Sequence, residues 1–591
     1  MTKRPEYPTG IQGRFALGSP SKNSKMASGR SLCKAPVRSK SRFPFKRYFR
    51  FNTRPCMLDV LSIRSASGCP WLVRTFLAGI ILLLPFLCGS PLKAQTPDAS
   101  TIALAVQQQI VKAIEQSESS VVAISKIKLP KQKFQSRIPA PFGIDPNQGF
   151  SISQDPQDLN FIPNEFGSGI LIPDPTKQNR ILVLTNFHLT EGGPVAEQST
   201  APDSRLYVHT ANRQGFYAEI IAADPRSDLT VLTPAQPLSP EYARSLTPIR
   251  YGNNIPVKKG QFVIALGNPY AIARDGSPSA SWGIISNFHR YPVPIFKHFL
   301  NQEIAKEETL HHFGTLLQVD THLDLGTSGG ALLDLEGKLI GVTTALAALE
   351  GYEKSVGYAI PIDDSTLRII NDLAAGLEAE YGFLGIEPGT LDRGQVRSNF
   401  PGATDLDAPF YVEATRVKQH SPAQLAGLQP RDLILSVNGQ QLSHDLDLMR
   451  EVGKAGAGNE IKLQILRGKK PRELTLNVKL GKWPVADDEG IVQTRYRHPL
   501  WRGLRVDYPT ARRKYTFSPF SYPPAVVVTH VAPDSPAQQA GLKEGAFISQ
   551  INGQAVQTPG SFYQEAQKVN NSPVTLLYLD GPKLILPPSK Q

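Results

Sequence analysis

Cysteine is scarce in this chain. Four occur in 591 residues, and all of them, Cys33, Cys56, Cys69 and Cys88, lie within the first 94. Residues 95–591 therefore hold no disulfide, no cysteine nucleophile and no thiolate metal site. Long apolar runs are also lacking. The run Phe76–Cys88 covers 13 residues and is broken by Pro85, short of the ~20 that a membrane-spanning helix needs, which argues against a polytopic membrane protein. Glycine (47) and proline (50) are too few for a collagen-like or low-complexity chain. Acidic residues are missing from one end only: residues 1–94 carry 17 Lys and Arg against Glu6 and Asp59, a local net of +15, and the rest nets −2. The overall charge of +13 is thus an N-terminal property. The nucleic-acid partner that a uniformly basic chain would suggest has no motif to rest on.

What fills that N-terminal segment is an address. Arg64 and Arg74 precede the apolar run 76–88, and Ala94 offers the small residue that a signal peptidase reads. A secretory signal begins near its own initiator, which points to Met57 as the true start and to residues 1–56 as upstream sequence. An uncleaved anchor and a genuine basic extension are the alternatives. The acting product is expected to be residues 95–591, exported to the periplasm or cell envelope, touching a membrane only through the N-terminal segment if it is uncleaved.

Beyond Gln95, Val106, Ile110 and Ile114 recur at helical spacing, and Ser120–Ser125 reads as a strand. Residues 130–165 show no periodicity and read as a long loop. From 166 onward come short β-type runs, Phe166–Ile172, Arg180–Thr185, Phe262–Leu266 and Leu339–Thr343, separated by Gly and Pro turns. That pattern indicates a mainly β fold, a barrel or sandwich in place of an α/β sheet. The last 200 residues repeat. His420-Ser421-Pro422-Ala423-Gln424-Leu425-Ala426-Gly427-Leu428 returns as Asp534-Ser535-Pro536-Ala537-Gln538-Gln539-Ala540-Gly541-Leu542, and Val437-Asn438-Gly439-Gln440 as Ile551-Asn552-Gly553-Gln554, both 114 residues later. In each copy a Ser caps a short helix with Pro at its first position and Gly past its end, and Asn-Gly marks a tight hairpin.

The repeat resembles the PDZ domain. Tyr381-Gly382-Phe383-Leu384-Gly385-Ile386 is similar to the loop with which that family binds a chain-terminal carboxylate on backbone N–H groups while the peptide adds as a strand. In the second copy the match falls on Trp501-Arg502-Gly503-Leu504-Arg505-Val506, poorer in small apolar residues. Peptide binding is expected of the first copy, and the second is left open between binding and an architectural role.

Three segments of the β-rich region carry chemistry. Leu184-Thr185-Asn186-Phe187-His188 sets a histidine just past a strand, Ser227-Asp228-Leu229 an aspartate just before one, and Gly326-Thr327-Ser328-Gly329-Gly330 a serine in a glycine-rich turn. Singly each is weak; in the order His, Asp, Ser they supply what acyl transfer needs. A base must lie within reach of the hydroxyl, a carboxylate must fix the imidazole tautomer, and backbone N–H groups must face the developing oxyanion.

These segments resemble the trypsin-like serine proteases of the HtrA (Deg) family. Phe166-Gly167-Ser168-Gly169, Leu266-Gly267-Asn268-Pro269, Trp282-Gly283-Ile284-Ile285-Ser286, Gln318-Val319-Asp320 and Gly357-Tyr358-Ala359-Ile360-Pro361 stand around them in that family's order, ahead of two PDZ-like copies. The resemblance implies a chymotrypsin-like double β-barrel over 95–375, a first PDZ domain over 376–485 and a divergent second over 486–591. It implies an ATP-independent serine endopeptidase acting on unfolded or damaged proteins. His188 would be the general base, Asp228 its orienting partner, Ser328 the nucleophile, and the N–H groups of Gly326 and Ser328 the oxyanion hole. It implies trimers or higher oligomers, no cofactor and no metal. His298, His311 and His312, in the insert Tyr291–Phe313, match no familiar metal spacing, and a regulatory loop is the reading of that insert. Two departures stand beside the nucleophile, Thr327 where the family has Asn or Asp and Ala331 where it has Pro. His322, Leu323, Asp324 and Leu325 replace a small polar run on the wall of the specificity pocket. The alternative is a scaffold or chaperone that keeps the fold without the activity.

Overall fold

The computed structural model describes residues 99–588 apart from 130–152, 154, 159–160, 199–201, 212–213, 253–255, 269–276, 291–308, 345–356, 403–405, 407, 486–487, 516–520, 570 and 580. The signal segment, the four cysteines, Met57, most of the loop expected at 130–165, His298 and most of the Tyr291–Phe313 insert lie outside the described residues.

Helix α1 (Ala99–Ser117) opens the described chain. It buries Ala113 and Ser117 against the second barrel, where Ser117 Oγ donates to Gly337 O at 2.8 Å. Six strands then form a first barrel: β1 (Val121–Lys128), β2 (Glu165–Pro173), β3 (Ile181–Thr185), β4 (Ser204–His209), β5 (Gly215–Asp224) and β6 (Leu229–Pro234), in the order β5-β4-β1-β2-β3-β6, closed by β5–β6 pairing. A second closed barrel, β10-β11-β12-β9-β8-β7, is built from β7 (Phe262–Gly267), β8 (Ser279–Arg290), β9 (Leu316–Val319), β10 (Ala331–Leu333), β11 (Leu339–Thr344) and β12 (Gly357–Pro361). Closure leaves no sheet edge and a filled interior. Val122, Leu171, Val183 and Leu206 fill the first barrel, and Val263, Ile285, Val319 and Leu332 the second. Between the barrels a shared core (Ile170, Leu184, Leu229, Leu266, Val342) brings together the strand ends that carry His188, Asp228 and Ser328.

Helix α2 (Asp364–Ala374), N-capped by Asp363, leads out of the barrels. Strand β13 (Gly382–Phe383) pairs with β20 (Gly481–Lys482). Between them lies a sheet of β14 (Ile386–Asp392), β15 (Phe410–Val417), β16 (Leu433–Val437), β18 (Glu460–Arg467) and β19 (Arg472–Lys479), with β17 (Gln440–Gln441) on β16 and helix α3 (Asp445–Ala455) across it. The chain returns to the first barrel as β21 (Val492–Gln493), paired with β5. It then repeats the same order in β22 (Leu504–Asp507), β23 (Val526–Val531), β24 (Phe547–Ile551), β26 (Val574–Tyr578) and β27 (Lys583–Leu586), with β25 (Gln554–Ala555) on β24 and helix α4 (Pro559–Lys568). The fold is mainly β, two barrels followed by two copies of one PDZ-type sheet.

The copies correct the sequence match at their ligand loops. Ala423 N donates to Leu384 O in the first and Ala537 N to Arg502 O in the second. Gly385 and Gly503 each leave no room for a Cβ against Ser421 and Ser535. Leu384-Gly385-Ile386 therefore corresponds to Arg502-Gly503-Leu504, and the counterpart of Tyr381–Ile386 is Pro499–Leu504, two residues earlier than Trp501–Val506. The similarity of the short apolar words concealed the shift.

Candidate active site

Strand β3 ends at Thr185, and the chain turns through a single 3-10 turn, Phe187–Leu189, that carries His188. Asp228 precedes β6 with φ +53°, in the left-handed region that Asp tolerates better than most residues. Asn186 Nδ2 and Phe187 N hold its carbonyl, both at 3.0 Å. Its carboxylate faces His188: Nδ1 lies 2.9 Å from Oδ1 and 3.0 Å from Oδ2, and His188 N donates to Oδ1 at 3.1 Å. A carboxylate accepts, so Nδ1 carries the proton and Nε2 is left as the basic nitrogen. Thr344 Oγ1, at the end of β11, donates to Asp228 Oδ2 at 3.1 Å. The sequence reading did not single out Thr344, because a threonine at a strand end carries no signal until the barrels close.

The turn before Asp228 is fixed on every side. Asp224 Oδ2 accepts from Ser227 N at 3.1 Å, and Asp224 Oδ1 from Arg226 Nε at 2.7 Å. The Tyr381 hydroxyl also donates to Asp224. His311, fully buried, sits 3.0 Å through Nε2 from Ser227 O and 2.7 Å through Nδ1 from Thr315 Oγ1. The carbonyl only accepts, so Nε2 donates; burial lowers the ring's pKa and so favours its neutral form. His311, weighed in the sequence as a candidate metal ligand, is thus packed behind the aspartate.

Ser328 lies between β9 and β10, 4% exposed. Gly326 has φ +97° and Gly329 φ +81°. A Cβ on Gly326 would meet Asn268 O at 2.6 Å, and one on Gly329 would collide with Ser168 O, so glycine is required at both. Ser168 N donates to Ser328 O at 2.8 Å, and Thr185 Oγ1 to Ser168 O at 2.7 Å. The serine turn is thereby tied to the strand end that leads to His188.

The four residues read as a pocket wall divide. Leu323 packs into the second-barrel core, against Gly357. His322 is 81% exposed and pairs with Asp324 at 2.9 Å, and Leu325 is exposed. Among the described residues no group of His, Cys, Asp and Glu is arranged to hold a metal ion.

In the first PDZ-type copy Gly382 and Phe383 form β13, Leu384 is buried in the sheet core, and Gly385 has φ +83°. The β14–β15 register, with Lys418 N on Gly385 O and Arg393 N on Pro409 O, leaves the backbone groups of Ile386, Pro388 and Thr390 on the open edge. Pro388 has no N–H to offer there, and Thr390 Oγ1 is bonded to Asp445 of α3. In the second copy the same edge is taken. Leu504 N and O bond to Trp501, and Val506 N donates to the Tyr563 hydroxyl of α4 at 3.3 Å. His498 stacks on that tyrosine with ring centres 4.4 Å apart.

Against known families, residues 167–342 match a trypsin-like peptidase domain, and residues 382–479 and 527–579 each match a PDZ domain. The chain is 27% identical over 414 residues to the periplasmic serine endoprotease DegP of Escherichia coli K12, covering 70% of this chain and 73% of that one. It is 26% identical over 506 residues to a probable DegP-like periplasmic serine endoprotease of Pseudomonas putida W619 (82% and 91%). It is likewise 26% identical over 392 residues to a probable periplasmic serine protease of the do/HhoA type from Haemophilus influenzae (66% and 71%). Among solved structures, the HtrA-type protease AlgW with a tripeptide aligns at 21% identity and a TM-score of 0.42, covering 64% of this chain and 98% of that one. The chain carries a trypsin-like peptidase domain followed by two PDZ domains, is similar to DegP/HtrA serine proteases, and is a serine endopeptidase.

Proposed function

We propose that Ser328 is the nucleophile of peptide-bond hydrolysis, with His188 as general base and Asp228 as its orienting partner. The observation that carries this is the contact of both Asp228 carboxylate oxygens with His188 Nδ1, supported by Thr344. With Nδ1–H committed, Nε2 takes the Ser328 proton as Oγ attacks the scissile carbonyl. The tetrahedral oxyanion settles on the N–H groups of Gly326 and Ser328. His188 then protonates the leaving amine, and water repeats the sequence on the acyl-enzyme.

The substrates are unfolded or damaged envelope proteins, presented by their chain ends to the first PDZ domain. That domain's open edge supports this reading: the Leu384-Gly385-Ile386 backbone suits a terminal carboxylate, while Pro388 removes a donor that a longer, internal strand would use. The second PDZ domain is a brace, since its edge is capped by its own Trp501 and Tyr563. In this reading the chain divides into 1–94, removed after Ala94, a protease domain at 95–375, and PDZ domains at 376–485 and 486–591. The product works in the periplasm as a trimer. Exposed Leu104 and Val111, seven residues apart and therefore on one side of α1, supply an apolar face for packing between copies. The test is degradation of unfolded casein by the exported chain beside Ser328→Ala. Degradation by the first and none by the second is expected; equal degradation by both removes the assignment.

A further inference from the structure

The turn that carries Ser328 is held by its carbonyls. Ser168 Oγ donates to Gly326 O at 2.7 Å and itself accepts from Asn268 N at 2.8 Å. Thr343 Oγ1 donates to Thr327 O at 2.6 Å, and Gly330 N reaches the same oxygen at 3.0 Å. Ser328 O takes Ser168 N at 2.8 Å. Three successive carbonyls are thus drawn back into protein, the first two by the hydroxyls of Ser168 and Thr343, 0% and 1% exposed, and the third by the Ser168 backbone N–H. A third hydroxyl, Thr327 Oγ1, donates to Asp324 O at 2.7 Å, and Thr327 N joins it at 3.1 Å.

In a trans peptide the N–H points away from the carbonyl of the same unit. Drawing Gly326 O onto Ser168 turns Thr327 N–H toward Asp324 O. Drawing Ser328 O onto Ser168 N turns Gly329 N–H toward Thr343 O, at 2.9 Å. Between them, the hold on Thr327 O directs Ser328 N–H to the opposite side from Thr343. We infer that Ser168 and Thr343 are positioning residues for the oxyanion hole, their hydroxyls clamping the two successive peptide units that lead into Ser328 so that the turn is formed before substrate arrives. The inference rests on the proposed roles of Gly326 and Ser328. It also gives Thr327 a reason to stand where the family has Asn or Asp: its hydroxyl closes the same turn onto Asp324.

The test uses the full exported chain with Thr343→Val, which keeps shape and loses the hydroxyl, and Thr343→Ser, which keeps the hydroxyl. A fluorogenic peptide reports kcat and KM. The clamp predicts a kcat about tenfold or more lower in Thr343→Val with KM within about twofold, as for a group acting on the transition state. It predicts recovery of most of that loss in Thr343→Ser, and the same pH at half-maximal kcat/KM in both, because the His188–Asp228 pair is untouched. Wild-type kcat in Thr343→Val, or equal losses in the two variants, overturns it. If Thr343→Val does not fold, Ser168→Ala decides by the same kcat criterion. Ser328→Ala run in parallel separates the two readings: if it stays active the nucleophile assignment fails, and if it is dead while Thr343→Val is unimpaired only the clamp fails.

Discussion

At the residue scale the account depends on hydrogen bonds that a single atom can remove. Thr344→Val deletes the second donor to Asp228 Oδ2 and leaves the His188 contact. Its kcat is expected to fall by roughly three- to tenfold, about 1 kcal/mol for one hydrogen bond to a charged or polar acceptor, with little change in KM; steady-state kinetics checks it. The proposed triad residues stand out in the sequence because each lies in a short segment whose chemistry is local: a histidine past a strand, an aspartate before one, a serine among glycines. Thr343 and Thr344 carry no sequence signal, and Ser168 stands out only as part of a motif without a role, since the roles arise only when the two barrels bring β2, β3 and β11 against the serine turn. Tyr381, expected in the peptide-binding loop, commits its hydroxyl to Asp224 in the protease core, a contact across 157 residues that no local pattern announces.

At the scale of elements, the turn Leu310–Phe313 links the protease core to the first PDZ domain. Leu310 N donates to Arg226 O at 2.8 Å, His311 holds Ser227 O, and the Phe313 ring packs tilted against Trp483 with centres 5.3 Å apart. His311 is held below its ordinary pKa of 6.5 by burial, so the folded chain resists a proton that the unfolded chain accepts. Stability conferred by its neutral form is complete above pH 6.5 and is lost as pH falls toward the lower folded value. His289 and His498 shift in the same direction by burial. Melting temperature is therefore expected to drop between about pH 7 and pH 5, and His311→Gln, which can still donate to Ser227 O, to flatten part of that drop. A melting temperature independent of pH over that range in the wild type contradicts the buried neutral histidines. The edge strands make a second prediction. Ser328→Ala protein should bind a free-ended peptide at one site per chain by titration calorimetry, through β14, and an amidated peptide far more weakly. Two equal sites per chain would refute the capped edge of β22.

For the whole molecule, the junction of protease and both PDZ domains centres on Lys482, 1% exposed, whose ammonium meets Glu380 at 3.2 Å, Glu378 at 3.3 Å and Asp507 at 2.9 Å. Arg512 and Arg226 complete it, and the cations hold Glu378 at about 2. Breaking a buried pair by removing one partner costs about 3–5 kcal/mol. Lys482→Met is expected to loosen the PDZ domains from the barrels, seen as faster trypsin cleavage between residues 482 and 504. The sequence disclosed the repeat and the order of domains through short motifs. It did not disclose this junction, because charged residues scattered from Arg226 to Arg512 read individually as surface. Nor did it disclose β21, two residues whose pairing with β5 only the assembled chain defines.

The central claim is that Ser328 attacks the peptide bond with His188 and Asp228 behind it. Labelling the exported chain with a fluorophosphonate and locating the adduct by mass spectrometry tests it most directly. The account predicts a single adduct on the peptide containing Ser328, absent in Ser328→Ala and slowed about 10⁴-fold or more in His188→Ala, the order seen when a triad member is lost. An adduct on another residue, or casein hydrolysis undiminished in Ser328→Ala, would contradict it.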